Sequence, residues 1–539
     1  MSNKLVICLV VIIFIAALTR LLFLGEFPNG FTGDEAQQGY SAYSILQTGR
    51  DEWGEFLPLN PRGFGDFKPP LQTYLMIPSI AIFGLTVEAV RLPAALVGVL
   101  TILVVFFLAS ELTDSKKIAF WSAFFLAINP WHIQLSRTAF EGGIGVFFFS
   151  LGLLFFLKGF KKQLYFILSA LVWGLTFYSY HSHKLFLMLF LISLAAVFRK
   201  KLISKKMATS LAILAILLVP LLTNFKASLA RASDVGIISE QVLNGYFEDK
   251  PGTNLGSWDR IFDNKFFFVS EVFLNNYLSY YSPTFYFTGQ RSDGTYLNFP
   301  KFPLIYPVEI FAWIIAGWLI FSNKVQGKKI FLIWFALAAI PASLATGSLN
   351  ANRAVTFLPL TAILSGIGMS WIADRFHRNA VILGLIIFGV YLALFGHFYI
   401  YQLPYKPIDN LRFGYDQTFK KIMDISGEYG EIIISKGFTE PQIFVAFYGK
   451  VNPSEYQKAS ADWLRYEKAN KPYVDQLESW NLGKFKFEDI NWDKKDSQRQ
   501  KSLIVGKPED FPGDVPSLLN ISRPDGKVIF KLVETLNYE

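Results

Sequence analysis

Apolar residues in this chain gather in long blocks instead of alternating with polar ones as they do in a soluble domain. The first block runs from just after Lys4 to Leu24. Its length, about twenty residues, suits an uncleaved membrane span, and no small-x-small site closes it as in a signal peptide. Further blocks lie near 91–111, 118–136, 143–158, 164–181, 184–198, 207–224, 304–322, 329–347, 354–373 and 379–400. Together they predict a mainly α, polytopic helical membrane protein with about eleven to thirteen spans.

The polar connections alternate in character. Lys116-Lys117, Lys158 with Lys161-Lys162, Arg199 to Lys206, Lys324 with Lys328-Lys329, and Arg375 with Arg378 are short and basic. By the positive-inside rule they are cytoplasmic. Residues 25–90, 137–142, 181–184, 225–303, 347–353 and everything after 401 then face outward. The run Leu71–Leu85 is apolar but short, follows Pro69-Pro70 and contains Pro78. If it crossed, every later basic loop would fall on the wrong side, so it reads as a helix at the outer interface or dipping into the bundle.

After Tyr401 the pattern changes. Glu431–Ser435, Phe485–Ile490, Ser502–Val505 and Val528–Val533 read as strands, and Tyr415–Ser426 and Pro441–Tyr448 as helices. The chain therefore divides into a membrane domain, 1–400, and an extracytoplasmic soluble α/β domain, 401–539. The second carries no phosphate-loop or dinucleotide motif.

Composition agrees. The 52% hydrophobic content and mean hydropathy of +0.34 exceed those of a soluble chain, and charged residues make up only 17%. The net charge of +9 sits largely in the short basic loops, and no basic face is interleaved with stacking aromatics, which argues against nucleic acid. One cysteine, Cys8, permits no internal disulfide and no redox pair.

The candidate chemistry lies in the outward segments. Gly33-Asp34-Glu35-Ala36 puts two carboxylates just beyond the first span, as a general base and its neighbour or as a solvated loop. In Gly65-Asp66-Phe67-Lys68-Pro69-Pro70-Leu71, Lys68 is a point charge for a phosphate or a snorkelling interface lysine. Arg137 and Glu141, one helical turn apart at a tight hairpin, form a site or a structural ion pair. Tyr178-Ser179-Tyr180-His181-Ser182-His183-Lys184 offers aromatic and imidazole groups to a sugar or phosphate. His181 and His183 have no third ligand nearby in sequence, so no metal site is assigned. Arg353, in Asn350-Ala351-Asn352-Arg353, has the geometry to clamp a phosphate or to act as a cap. The long outer loop adds Tyr280-Tyr281-Ser282-Pro283 and Gly289-Gln290-Arg291. Acids and phosphate-type cations thus share one side of the membrane, where a sugar on a polyprenyl phosphate is available and nucleotide sugars are scarce.

At this point the motifs resemble a family. The order Gly33-Asp34-Glu35-Ala36, Lys68-Pro69-Pro70-Leu71, Arg91-Leu92-Pro93-Ala94-Ala95-Leu96 and Ser136-Arg137-Thr138-Ala139 looks like the GT-C membrane glycosyltransferases of the protein-mannosyltransferase-like and aminoarabinose-transferase-like branch. The likeness continues more weakly through Tyr178–Leu185 and Asn350–Pro359, and it departs at Glu141, where the family commonly has aspartate. The resemblance implies an inverting transfer from a polyprenyl-phosphate sugar to an acceptor protein, glycolipid or polysaccharide, outside the plasma membrane. Asp34 would be the base and Glu35 its support. Lys68, Arg137, His181, His183 and Arg353 would neutralise the lipid phosphate, with Tyr180 and Glu141 in the substrate site. No cofactor is required and a divalent cation is optional. A lipid or glycan transporter or flippase is the rival, but the spans are nearly free of charge and lack an inverted repeat. A membrane-anchored glycan-binding protein is the other.

Overall fold

The computed structural model describes residues 3–201, 205–223, 236–239, 242–244, 264–289, 302–347, 349–405, 411–469, 471, 473–492 and 495–535. Gln290, Arg291 and much of the loop 225–303 lie outside them. In chain order the helices are α1 (Asn3–Leu21), α2 (Gly33–Thr48), α3 (Pro70–Phe83), α4 (Val87–Thr113), α5 (Lys116–Ile128), α6 (Pro130–Arg137), α7 (Glu141–Gly159), α8 (Leu164–Phe177), α9 (His181–Phe198), α10 (Lys205–Thr223), α11 (Lys265–Ser279), α12 (Pro283–Phe287), α13 (Glu309–Phe321), α14 (Lys328–Ala338), α15 (Ile340–Ser343), α16 (Leu358–Arg375), α17 (Arg378–His397), α18 (Tyr415–Ile425), α19 (Pro441–Gly449), α20 (Pro453–Trp463) and α21 (Arg465–Lys468). Contacts group the chain into two units. The first is Met1–Leu22 with Ala94–Gly396, and the second is Phe23–Pro93 with His397–Glu539. Residues 23–93 group with the C-terminal residues and not with the helical bundle.

The first unit is helical. Among the described residues, α4, α7, α9, α16 and α17, the last three with their flanking turns, are long and apolar enough to cross a membrane. Shorter apolar helices include α8, α13 and the apolar stretches Leu5–Leu21 and Lys206–Leu221. The chain is a multi-pass membrane protein. Two expected spans are broken. The run 118–136 divides at Asn129 into α5 and α6, because Pro130 brings no N–H and Asn129 is extended, its side chain accepting from the His132 amide. The run 329–347 divides at Ala339 into α14 and α15, again beside a proline, Pro341.

Association of helices in lipid gains little from the hydrophobic effect and depends on close packing. The core shows it. Phe149 meets Phe186, Phe190 and Trp334 with ring centroids at 5.0, 5.3 and 5.0 Å. Glycines in α16 let its neighbours approach. A β-carbon on Gly368 would lie 2.1 Å from the Ala312 carbonyl oxygen in α13. One on Gly366 would lie 2.7 Å from the Ser122 amide nitrogen and 2.9 Å from the Ile118 oxygen in α5.

The second unit is built on a six-stranded sheet. Its strands are β1 (Glu431–Ser435), β2 (Ser479–Leu482), β3 (Phe485–Glu488), β4 (Ser502–Gly506), β5 (Leu519–Ser522) and β6 (Val528–Glu534), in spatial order β2-β3-β1-β4-β6-β5. β1 pairs in parallel with β3 and β4, and the edge pairs are antiparallel. Ile432, Ile433 and Ile434 are fully buried, as expected for a central strand covered on both faces. The expected strands at 431, 485, 502 and 528 are present. β2 and β5 are additions whose short polar sequences, SWNL and LNIS, carry little apolar signal. The run Leu71–Leu85 forms α3, whose 14 residues fall short of the about 20 a straight span needs.

α2 packs on α3 and against α19 and α20. Tyr40 Oη donates to the Val451 carbonyl at 2.9 Å, and Ser460 Oγ to the Glu52 carbonyl at 2.9 Å. Gln457 Nε2 donates to Ser44 Oγ, Thr48 Oγ1 and the Asp51 carbonyl. The acidic-motif helix is thereby part of the same folded body as the C-terminal sheet.

Because the atoms facing Gly368 are backbone, Gly368→Ala should destabilise the bundle by about 1–3 kcal/mol. Thermal unfolding of the purified protein in detergent checks this, and a melting temperature equal to wild type would contradict the packing.

Candidate functional site

Thr32 caps α2, so Gly33, Asp34 and Glu35 occupy the first three helical positions. Carboxylates there are favoured by the exposed amides of the first turn. The two acids then take different roles. Glu35 closes a capping box. Its Oε2 accepts from the Thr32 amide at 3.0 Å, and its own amide donates to Thr32 Oγ1 at 3.1 Å. It is buried against Arg91, whose Nε donates to Glu35 Oε1 at 2.8 Å.

Arg91 is fully buried and does more than pair with Glu35. Its Nη1 donates to the carbonyls of Leu24 and Pro28, and its Nη2 to Gly30 O at 2.6 Å and Glu35 Oε2 at 3.3 Å. One guanidinium therefore fixes both the loop 24–30 and the start of α2. The motif Arg91–Leu96 drew attention to this residue, but not to the partners it binds.

Asp34 faces away from that pair, and its side chain is 46% exposed. Lys68 Nζ stands 2.8 Å from Asp34 Oδ1 and 3.1 Å from Asp66 Oδ2, with its own side chain only 11% exposed. The reading of Lys68 as a snorkelling surface residue is thus replaced by a cation held between two carboxylates. The loop that presents it is closed by backbone bonds from Gly63 N to Asp66 O and from Lys68 N to Pro61 O.

Glu440, which the sequence did not single out, joins this cluster from the C-terminal half of the same unit. Its carboxylate packs over the Cα of Gly33. It precedes Pro441 at the start of α19, and its φ of 55° is left-handed, a conformation that is uncommon outside glycine and asparagine. Burial first, then the Asp34 charge, pushes its carboxyl up to about 7; Lys68 and Arg412 oppose the rise, and Asp66 adds to it. A second acid, Glu52, is fully buried and accepts from Gln37 Nε2, and burial raises its carboxyl to about 8.

The remaining candidates belong to the first unit. Arg137 is buried, its Nη1 donating to Thr19 O at 2.9 Å and its Nη2 to Leu22 O at 2.8 Å. It thus binds carbonyls that follow from the end of α1, a favourable place for a cation. Glu141 is buried in the first turn of α7. Tyr180 caps α9, its ring 5.0 Å from Phe140 and 6.0 Å from His183. His181 is half-buried at the first position of α9. His183 is fully buried against Gly145, and neither ring nitrogen has a hydrogen-bond partner among the described residues. Arg353 Nη1 donates to Thr346 O at 2.6 Å. Arg20, which the sequence reading passed over, is buried and donates to the Ala127 and Leu126 carbonyls, with His132 Nδ1 at 2.8 Å. Among the described residues no three His, Cys, Asp or Glu side chains converge as a metal site requires.

Comparison with known proteins follows this geometry. Residues 67–223 match the family model described as dolichyl-phosphate-mannose-protein mannosyltransferase. No curated protein matches the sequence. Among solved structures, ArnT from Cupriavidus metallidurans in the apo state aligns with a TM-score of 0.53 at 13% identity, covering 98% of both chains. The same protein bound to undecaprenyl phosphate aligns at 0.50 and 14%, covering 99% of this chain and 98% of that one. An oligosaccharyltransferase from Archaeoglobus fulgidus tethered with an acceptor peptide aligns at 0.50 and 14%, covering 94% and 70%. The fold is therefore that of the GT-C membrane glycosyltransferases, as the resemblance implied.

Removing Arg91 leaves the Glu35 carboxylate buried without its cation. Arg91→Ala should cost about 3–5 kcal/mol, and adding Glu35→Gln should recover part of it. Unfolding measured on both variants decides, and equal losses would contradict the pairing. For Glu440 the folded pKa lies above the usual 4.5, so the folded state binds extra protons. Its contribution to stability is greatest below pH 4.5 and is lost as pH rises through about 7. Glu440→Gln should flatten the fall in melting temperature between about pH 5 and pH 8, and an unchanged slope would refute the assignment.

Proposed function

We propose that this protein is an inverting glycosyltransferase that moves a sugar from a polyprenyl-phosphate donor to an acceptor hydroxyl at the outer face of the plasma membrane. The observation that carries the reading is the half-exposed Asp34 carboxylate 2.8 Å from the shielded Lys68 ammonium. The family match over residues 67–223 and the fold shared with ArnT support it. The sugar is a hexose or a pentose, and the acceptor is a protein, glycolipid or polysaccharide.

In this reading the acceptor oxygen attacks the anomeric carbon as the bond from that carbon to the phosphate oxygen breaks. The acceptor proton passes to Asp34, and the electron pair leaves with the lipid phosphate. Asp34 is suited to the base role by exposure, because Glu35 beside it is committed to Thr32 and Arg91. Lys68 provides a fixed positive charge that meets the growing charge of the phosphate. A lysine already held by Asp34 and Asp66 needs little reorganisation when that charge appears. Glu35 supports the reaction indirectly by fixing the start of α2. The reading requires no cofactor.

The test is a panel of polyprenyl-phosphate hexoses and pentoses incubated with the purified protein, with release of polyprenyl phosphate as the readout. On the donor that turns over, Asp34→Asn should lower kcat by about 100-fold or more while leaving the donor KM within about threefold. Lys68→Ala should lower kcat as well. Undiminished turnover by Asp34→Asn would sink the assigned base.

A further inference from the structure

The sheet of the second unit has a feature that the transfer reaction does not use. The chain leaves β1 toward the β3 side of the sheet, and from β3 it crosses to β4 on the other side of β1. The parallel neighbours β1 and β4 therefore flank a topological switch point. In open α/β sheets, ligands bind in the crevice outside the carboxyl ends of the strands at such a point. Here β1 ends at Ser435 and β4 at Gly506. A cavity of about 380 Å³ opens just beyond them, lined by Gly437 and Thr439 after β1 and by Lys507 and Pro508 after β4. That volume is within the range of small-molecule sites, about 300–1,000 Å³.

The charge of the cavity narrows the ligand class. Arg412, Lys507, Arg523 and Lys527 line it, against the single acid Glu509. Arg523 contacts Asp525 at 3.3 Å, but its buried Nε has no hydrogen-bond partner among the described residues. Among the described residues, Lys507 and Lys527 form no ion pair with a carboxylate. Like charges gathered around a concave surface repel one another, and an oxyanion between them removes that cost. Arg412 lies with its guanidinium carbon 6.0 Å from the Tyr415 ring centroid, so the wall also offers an aromatic face.

The cavity adjoins the acidic cluster within the same unit. Thr439 lines it, and the next residue is Glu440, which packs over Gly33 beside Asp34. Arg412 lines the cavity and acts electrostatically on Glu440.

We propose that the crevice at the carboxyl ends of β1 and β4 binds a phosphate- or carboxylate-bearing saccharide, and that it holds the charged part of the acceptor beside Asp34. The acceptor assignment rests on the transferase reading above, whereas the binding itself does not. It gives the C-terminal sheet a recognition function, with Arg523 and Lys507 holding the oxyanion and Lys527 adding field at the rim.

The experiment is equilibrium titration of the full-length protein in detergent, without donor, using glucose 6-phosphate, glucuronate, inorganic phosphate and glucose. Saturable binding of at least one of the anionic sugars is expected, and none of glucose. Arg523→Ala and Lys507→Ala should each weaken it about tenfold or more. Lys527→Glu, at an exposed position, should weaken it as well. No saturable binding of either anionic sugar, or binding unchanged in all three variants, overturns the subsite. Inorganic phosphate binding as tightly as glucose 6-phosphate overturns the saccharide part. A protein that binds glucuronate or glucose 6-phosphate but consumes no polyprenyl-phosphate sugar keeps the subsite and removes the acceptor role, so the two readings fail separately.

Discussion

The placement of the acidic motif depends on Arg91. Burying a guanidinium is costly unless its donors find partners, and this one finds them in the carbonyls of Leu24, Pro28 and Gly30 and both oxygens of Glu35. These partners are four points along twelve residues of loop and helix start. The first turn of α2 is therefore anchored through Glu35, while Asp34 in the same turn pairs with Lys68. Adjacent residues thus take different places, Glu35 in the bonds that fix the helix start and Asp34 half in solvent beside Lys68.

The division explains what could be read from the sequence. Long apolar blocks announce themselves by length, so α4, α7, α9, α16 and α17 were legible to within a few residues, and so was the change of character after Tyr401. The break at Asn129 was written in the dipeptide Asn129-Pro130, yet an apolar count over 118–136 averages across it. Asp34 and Lys68 were legible as unusual charges in an apolar setting. Their pairing was not, because 34 residues separate them and only the turn of the Gly63–Lys68 loop aims the ammonium back. Glu440 was beyond reach. It is an ordinary acid before a proline, and its importance comes from a tertiary contact about 400 residues away in sequence. The roles expected for Arg137 and Arg353 came from charge type and from the family resemblance, and the structure adds bonds from both to backbone carbonyls.

The two units solve the burial problem with different chemistry. The helical unit brings backbones together through glycines, as at Gly366 and Gly368, and fills the remainder with interlocking aromatic rings. Some buried cations there are tied to backbone carbonyls, as with Arg20 and Arg137. The second unit buries a central parallel strand of isoleucines but gathers carboxylates around a cation on α2 and the loop before α3. A body built this way can tolerate charge that a lipid-facing helix cannot.

The clustering of Asp34, Asp66 and Glu440 around Lys68 is electrostatically crowded, and the crowding has a direction. Three acids share one close cation, with Arg412 a second positive group acting on Glu440. The acid that yields is Glu440, because burial already penalises its charge, whereas Asp34 keeps half its side chain in solvent and sits at a helix start. A neutral Glu440 relieves repulsion on Asp34 and leaves Lys68 to Asp34 and Asp66. The C-terminal half of the unit thus acts on the acidic motif through the charge of one carboxyl. Any anion that settles among Arg412, Lys507 and Arg523 will draw on the same field, favouring the protonated form of Glu440 still further. Arg412 lines the crevice and acts on Glu440, so an anion bound there would be coupled through it to the charge beside Asp34.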